Sequence, residues 1–185
     1  GSFGPGTSYP AANNPTAIEL IDYDGDGDQD VVVTCYGTDR VARFTNPGNG
    51  TLVPNGTVTV GDGPEFIVKG RFNNDAIPDL AVSNYLTGAG GQSLSILTGD
   101  GAGGFTESKV TAGGFEPYGL AAGDLNGDGF DDLVAGDWAT DGLRVFLCVG
   151  NGTFAAPAAF DVDDLDPTAV ALADLDHDGK LDAQV

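Results

Sequence analysis

Four nine-residue windows gather acidic side chains at one internal spacing: DYDGDGDQD from Asp22, RFNNDAIPD from Arg71, DLNGDGFDD from Asp124 and DLDHDGKLD from Asp174. In the first, oxygen-bearing side chains stand at positions 1, 3, 5 and 9 (Asp22, Asp24, Asp26 and Asp30), Gly27 is at position 6, and Asp28 at position 7 offers a backbone carbonyl. In a tight turn alternate side chains converge on one centre. A cage of oxygens without thiolate or imidazole suits calcium, which takes about six to eight hard ligands in irregular geometry. The third window repeats the set with Asp124, Asn126, Asp128 and Asp132 around Gly129, with Phe130 at position 7. The fourth repeats it with Asp174, Asp176, Asp178 and Asp182 around Gly179, with Lys180 at position 7. Three Ca2+ sites are therefore expected. The second window has Arg71 at position 1, Asn73 at position 3 and Ala76 at position 6, leaving Asp75 and Asp79 as its anions. It is expected to hold no metal, with the Arg71 guanidinium pairing with those two carboxylates in part of the ion's place.

An EF-hand loop begins in the same way, but it needs a bidentate Glu at position 12 and a helix on each side. Position 12 here is Val33, Ala135 or Val185. The residues after position 9 are β-type apolar runs such as Val31, Val32 and Val33, so each loop joins two strands. Position 1 recurs with a period of about 50 residues, in the range of propeller blades. Pro15, Pro64, Pro117 and Pro167 each stand seven residues before a loop, and Phe3, Leu52, Phe105 and Phe154 keep the same register. Short β-branched segments punctuated by Gly, Asn and Asp predict four strands per repeat, at residues 16–21, 30–35, 40–45 and 52–60 in the first. The fold class expected is all-β: propeller blades of four antiparallel strands, with the metal loop between first and second strands. Strand counting divides the chain into an orphan outer strand (1–10), blades at 11–60, 61–112 and 113–161, and the first half of another at 162–185.

On these loops, and on the GNGTF-type segment before each blade, the chain resembles the FG-GAP or VCBS repeats that build the propellers of integrin α-subunits and many secreted proteins. The resemblance covers essentially the whole chain. It implies calcium loops on one face and partner-binding loops mostly on the other. The family's Gly-Ala-Pro tripeptide survives loosely, as Ala155-Ala156-Pro157, and seven blades are not present. The strand count is compatible with a small closed ring, a piece of a longer chain, or copies that complete each other's end blades.

Net charge is −21, with only 7 Lys and Arg. Of the 28 acidic residues 4 are Glu and 24 Asp, and 15 of the Asp lie in the four windows, so the acidity is mainly ligand charge. Such a surface disfavours nucleic acid and anionic membranes as partners, and no apolar run is long enough for membrane insertion. Cys35 and Cys148 fall in strands of different blades and are expected as buried free thiols. The NGT sequons at Asn49, Asn55 and Asn151 coincide with the repeat's turn, and turn chemistry is their expected role.

Catalytic signatures are missing: His177, the sole histidine, sits at position 4 of the fourth loop and should point outward, and no nucleophile elbow or Cys/His pairing occurs. The connections after each second strand instead carry Tyr36, Asn84 with Tyr85, and Asp137 with Trp138, which are candidates for gripping a ligand. Millimolar calcium is found outside cells. The reading is a noncatalytic, calcium-binding, secreted or cell-surface module for adhesion or recognition of an extracellular protein or glycan. Two alternatives stand beside it: a self-assembling subunit that forms a homo-oligomer through incomplete end blades, and an accessory propeller of a larger secreted enzyme.

Overall fold

Alternation of β-branched and aromatic residues with Gly-rich turns produces strands throughout. The computed structural model describes residues 5–86, 92–111, 114–162 and 167–185. Among them the first sheet comprises β1 (Pro15–Ile21), β2 (Asp30–Cys35), β3 (Arg40–Thr45) and β4 (Val53–Thr59), each within one residue of expectation. The second comprises β5 (Pro64–Gly70), β6 (Asp79–Asn84), β7 (Ser93–Gly99) and β8 (Phe105–Thr111). The third comprises β9 (Pro117–Gly123), β10 (Asp132–Asp137), β11 (Gly142–Phe146) and β12 (Ala158–Asp161). A two-stranded sheet, β13 (Ala171–Ala173) with β14 (Asp182–Gln184), follows. Strands pair antiparallel in chain order within each sheet, as blades do, and first strands neighbour one another: β1 on β5, β5 on β9, β9 on β13. Among the described residues the sheets do not close into a ring.

Apolar faces of successive sheets meet. Ile21, Val32 and Val41 pack with Ile67, Leu80 and Leu97 between the first two, and Phe72, Leu94 and Ile96 pack with Leu120, Leu133 and Phe146 between the second and third. Cys35 and Cys148 are buried free thiols in different clusters. At Gly119 and Gly136 a Cβ would lie 2.7 Å from the Ala169 backbone and 2.5 Å from the Pro167 carbonyl oxygen, so only glycine lets the following segment approach the third sheet.

Residues 5–10, expected as part of an outer strand, form none. Tyr9 instead lies edge-on to Phe44, its hydroxyl accepts the Leu52 N–H at 3.2 Å, and the segment covers the outer apolar face of the first sheet. Phe3 and the rest of residues 1–4 lie outside the described residues, as do the expected blade boundary at 112 and 113 and residues 163–166.

The first strand of each four-stranded sheet opens with a bulge after its proline, with register shifts between Pro15 and Ile18, between Pro64 and Ile67, and on the partner of β9 between Ala135 and Asp137. Second-strand hydroxyls fill two of these bulges: Ala17 N–H donates to Thr34 Oγ1 at 2.8 Å and Phe66 N–H to Ser83 Oγ at 3.1 Å. Ser83 then reaches the next sheet, donating to the Tyr118 carbonyl at 2.8 Å. Bulges re-aim side chains. These ones direct Glu65 and Tyr118 at the end of the sheets opposite the acidic loops.

Candidate metal centres and the aromatic face

The acidic loops join β1 to β2, β5 to β6, β9 to β10 and β13 to β14. In the first, Asp22 accepts the N–H groups of Gly25 (2.9 Å) and Gly27 (3.0 Å), Asp24 that of Asp26 (3.4 Å), and Asp26 that of Asp28 (2.9 Å). The third loop repeats this ladder, Asp124 to Gly127 and Gly129, Asn126 to Asp128, and Asp128 to Phe130. In the fourth, Asp174 accepts from Asp178 and Gly179, Asp176 from Asp178, and Asp178 from Lys180. The turn is left-handed at positions 4 and 6 in all three: Gly25 and Gly27, Gly127 and Gly129, His177 (φ 65°) and Gly179. Side-chain oxygens thus fold the backbone around themselves and are left pointing inward.

Oxygens of Asp22, Asp24 and Asp30 come within 4.8 Å of one another, as do those of Asp174, Asp176 and Asp182. In the third loop the Asn126 amide takes the place of one carboxylate. Hard oxygens so arranged fit a calcium ion, which would relieve the repulsion among them. The backbone N–H bonds to Asp124 already hold its carboxyl below the ordinary value of 3.8.

Position 9 is different. Asp30, Asp79 and Asp132 are fully buried, and each carboxylate bridges the N–H at position 2 of its own loop and an N–H at the far end of the third strand. The pairs are Tyr23 and Asn46, Phe72 and Gly99, and Leu125 and Cys148, at 2.8 to 3.2 Å. Burial pushes all three carboxyls above 3.8 despite those bonds. Asp182 is half-exposed and accepts from Leu175 alone among the position 2 and third-strand donors of the described residues.

The second loop corrects one expectation. Among the described residues, Arg71 forms no ion pair with Asp75 or Asp79. Its guanidinium lies over the Phe130 ring at 5.3 Å, while its N–H donates to Asp131 Oδ2 at 2.8 Å and its carbonyl accepts the Asp131 N–H at 2.9 Å. Asn74 and Ala76, at positions 4 and 6, are not left-handed. The loop is fastened to its neighbour, and Asp79 is consumed by the fold.

At the opposite end, Tyr36, Tyr85 and Trp138 follow β2, β6 and β10 and are half-buried. Tyr85 is perpendicular to both Tyr118 and Trp138 at 5.5 Å, Trp138 stacks on Tyr118 at 5.1 Å, and Phe66 tilts against Tyr118 at 5.6 Å. The other two candidates are not surface groups. Asn84 is fully buried and donates to Ser93 and Ser95. Asp137 is fully buried and accepts from Glu116 N–H, Ala139 N–H, Thr140 Oγ1 and Arg144 Nε, the last at 2.6 Å. Strand ends that alternate inward and outward place these residues, one step before the rings, in the core.

Glu65 and Tyr118 belong to this face and were missed by sequence reasoning. Both immediately follow the periodic prolines, and that register was the available signal. Burial raises the Glu65 carboxyl, and burial followed by the neighbouring Glu65, Tyr85 and Tyr36 raises the Tyr118 phenol. Turn chemistry accounts for two sequons: Asn49 Oδ1 accepts from Thr51, and Asn151 Oδ1 accepts Thr153 N–H at 3.1 Å. His177 is exposed on its loop.

No curated protein sequence matches the chain significantly. Among solved structures, it is similar to a lectin of Agrocybe aegerita described for specific recognition of non-reducing terminal N-acetylglucosamine, with a TM-score of 0.57 and 20% identity. The match covers 89% of this chain and 44% of the lectin, so the chain spans less than half of that protein's length. At this identity the likeness speaks for the fold. The FG-GAP-like repeat profile matches three times, over residues 22–82, 72–135 and 126–185, in step with the acidic loops. The chain belongs to the FG-GAP-like repeat family.

Proposed function

We propose that this chain is a noncatalytic recognition module, stabilised by calcium and working outside the cell. The observation that carries this reading is the triplicate loop: three segments with the same left-handed turn and the same Asx hydrogen bond to position 6, in two of which carboxylate oxygens come within 4.8 Å of one another. Such a loop concentrates anions that repel one another without a cation. Calcium supplies a hard divalent charge there. Asp22, Asp24, Asp26 and Asp30 would hold one ion, with the equivalent residues of the third and fourth loops holding two more. The millimolar calcium outside cells suits sites of modest affinity.

Recognition draws support from the family and from the aromatic face, where half-exposed rings of two sheets share one surface. A glycan is compatible with that surface, and the similar lectin is a glycan binder. Against catalysis, the buried carboxylates Asp30, Asp79, Asp132 and Asp137 are each engaged in structural hydrogen bonds.

Calcium titration of chelator-treated protein by calorimetry, with thermal melting alongside, tests the reading. Three ions per chain and a melt raised by calcium are expected. At about tenfold excess over Kd each site adds about 1.4 kcal/mol, so three add about 4. Melting indifferent to calcium rejects the metal part. Blank glycan and protein arrays with the calcium-loaded chain reject the recognition part.

Self-assembly has one observation in its favour. Ile18 and Leu20 on β1 are 64% and 49% exposed, and Phe160 helps line an apolar cleft of about 400 Å3 between the third sheet and β13–β14. Light scattering decides it, because a monomeric mass at high concentration removes this alternative.

A further inference from the structure

We propose that the face opposite the acidic loops is a cage for an alkylammonium group, with Glu65 as its anion and Tyr36, Tyr85, Tyr118 and Trp138 as its walls. The inference rests on the recognition reading and names the ligand chemistry of that surface.

The first support is the position and state of Glu65. It lies in the bulge after Pro64, half-buried, next to Phe66, whose ring packs on Tyr118, and its charge acts on the Tyr118 phenol. Among the described residues it accepts no hydrogen bond and forms no ion pair, and desolvation is what raises its carboxyl. A desolvated carboxylate without a partner is costly. A cation entering the cage would supply the partner, while the negative faces of Tyr and Trp rings attract the same charge.

The second support is where the cations of the chain lie. Arg144 is bound to Asp137, Arg71 lies over Phe130, and Arg43 donates to the Gly103 carbonyl. Lys69 reaches the Leu20 carbonyl, Arg40 reaches Thr59, and Lys109 and Lys180 sit beside Glu107 and Asp178. Each of the seven basic residues thus has another contact, Arg144 beneath this same face but held by Asp137, in a protein of net charge −21. The nearby Glu116 adds a further carboxylate to the face.

A lysine side chain of a protein partner fits best. Its methylene stem can lie along the half-exposed rings while its ammonium reaches Glu65.

Trp138 is the sole tryptophan, so its emission reports this site alone. The probe is a capped Gly-Lys-Gly peptide, titrated into the calcium-loaded chain at physiological salt. The same peptide with its lysine acetylated, and N-acetylglucosamine, serve as comparisons. The expected result is saturable quenching by the lysine peptide, about tenfold weaker for the acetylated one. Glu65→Gln should lose about tenfold with an unchanged melting temperature, and Tyr36→Leu should lose less. Glu19→Gln, beside Lys69 and away from the rings, should bind like the parent. Equal binding of acetylated peptide, or indifference to Glu65→Gln, overturns the cage. A response to N-acetylglucosamine but not to lysine also overturns it while leaving the recognition reading intact. Silence with every probe overturns the cage, and the arrays then judge recognition separately.

Discussion

The first and second loops join equivalent strands, span nine residues each and end on an equally buried aspartate, yet of the two, among the described residues, only the first brings three carboxylates within 4.8 Å of one another. In the first, Asp22 draws in the N–H groups of Gly25 and Gly27 and the backbone turns left-handed at both. In the second, Arg71 stands where Asp22 would, and the loop leans on its neighbour through Asp131 and Phe130. What both retain separates two roles. Asp30 and Asp79 each tie the loop to the end of the third strand, so position 9 serves the fold whether or not a metal is expected. Positions 1, 4 and 6 set the left-handed turn, which the second loop lacks.

The largest predicted effect follows directly. Asp79→Ala leaves the buried N–H groups of Phe72 and Gly99 without their acceptor and should destabilise by about 3 kcal/mol, equally with and without calcium. Asp22→Ala should cost about 1.4 kcal/mol, and only with calcium at about tenfold excess over its Kd. Denaturant melts of both variants under both conditions check this. A calcium-dependent loss at Asp79 would break the distinction between the loops.

Acid response should also differ in sign between the two states of the protein. Asp30, Asp79 and Asp132 have carboxyls raised above 3.8, so the folded chain binds those protons more tightly than the unfolded chain. Calcium-free protein therefore gains stability from these groups as pH falls through their folded values towards 3.8, with no further gain below. Asp124 and Asp100 are lowered, so their contribution is present above 3.8 and is lost as pH falls through their folded values. With calcium bound, protons compete with the ion and acidification should destabilise throughout. Melting temperature against pH, with calcium and with chelator, should slope in opposite directions above 3.8. Curves of the same slope would deny the carboxylates a role as calcium ligands.

A smaller effect is expected at position 4 of the fourth loop, where His177 occupies the left-handed region that glycine takes in the first and third loops. His177→Gly should stabilise by about 1 kcal/mol, seen as a tighter calcium isotherm or a higher melt. Smallest is Arg71→Ala, which removes the contact with Phe130 and should cost about 0.5 to 1 kcal/mol without changing the number of ions bound. A variant that gained a fourth ion would show that Arg71 alone keeps the second loop from metal.

Much of the architecture was legible because it is local. The Asx bonds of each loop run between residues two to five apart, so oxygen spacing in the chain reports the turn directly. Strand limits followed from short apolar runs between turns for the same reason. Residues 5–10 were misread because the segment is extended in composition, whereas Tyr9 packs on Phe44 over the first sheet. Asn84 and Asp137 were misread because one residue of offset along a strand exchanges core for surface.

By itself the sequence determined the repeat, the four-strand unit, the oxygen sets of three loops and the loss of one, since each is written in side chains that act on their own neighbours. Only the tertiary structure decided that position 9 is a buried brace in three loops, that Arg71 turns to Phe130, and that Tyr85, Tyr118 and Trp138 meet in one aromatic cluster. Those outcomes depend on contacts between residues from different repeats or from opposite ends of one sheet, and their partners are chosen by how the sheets pack.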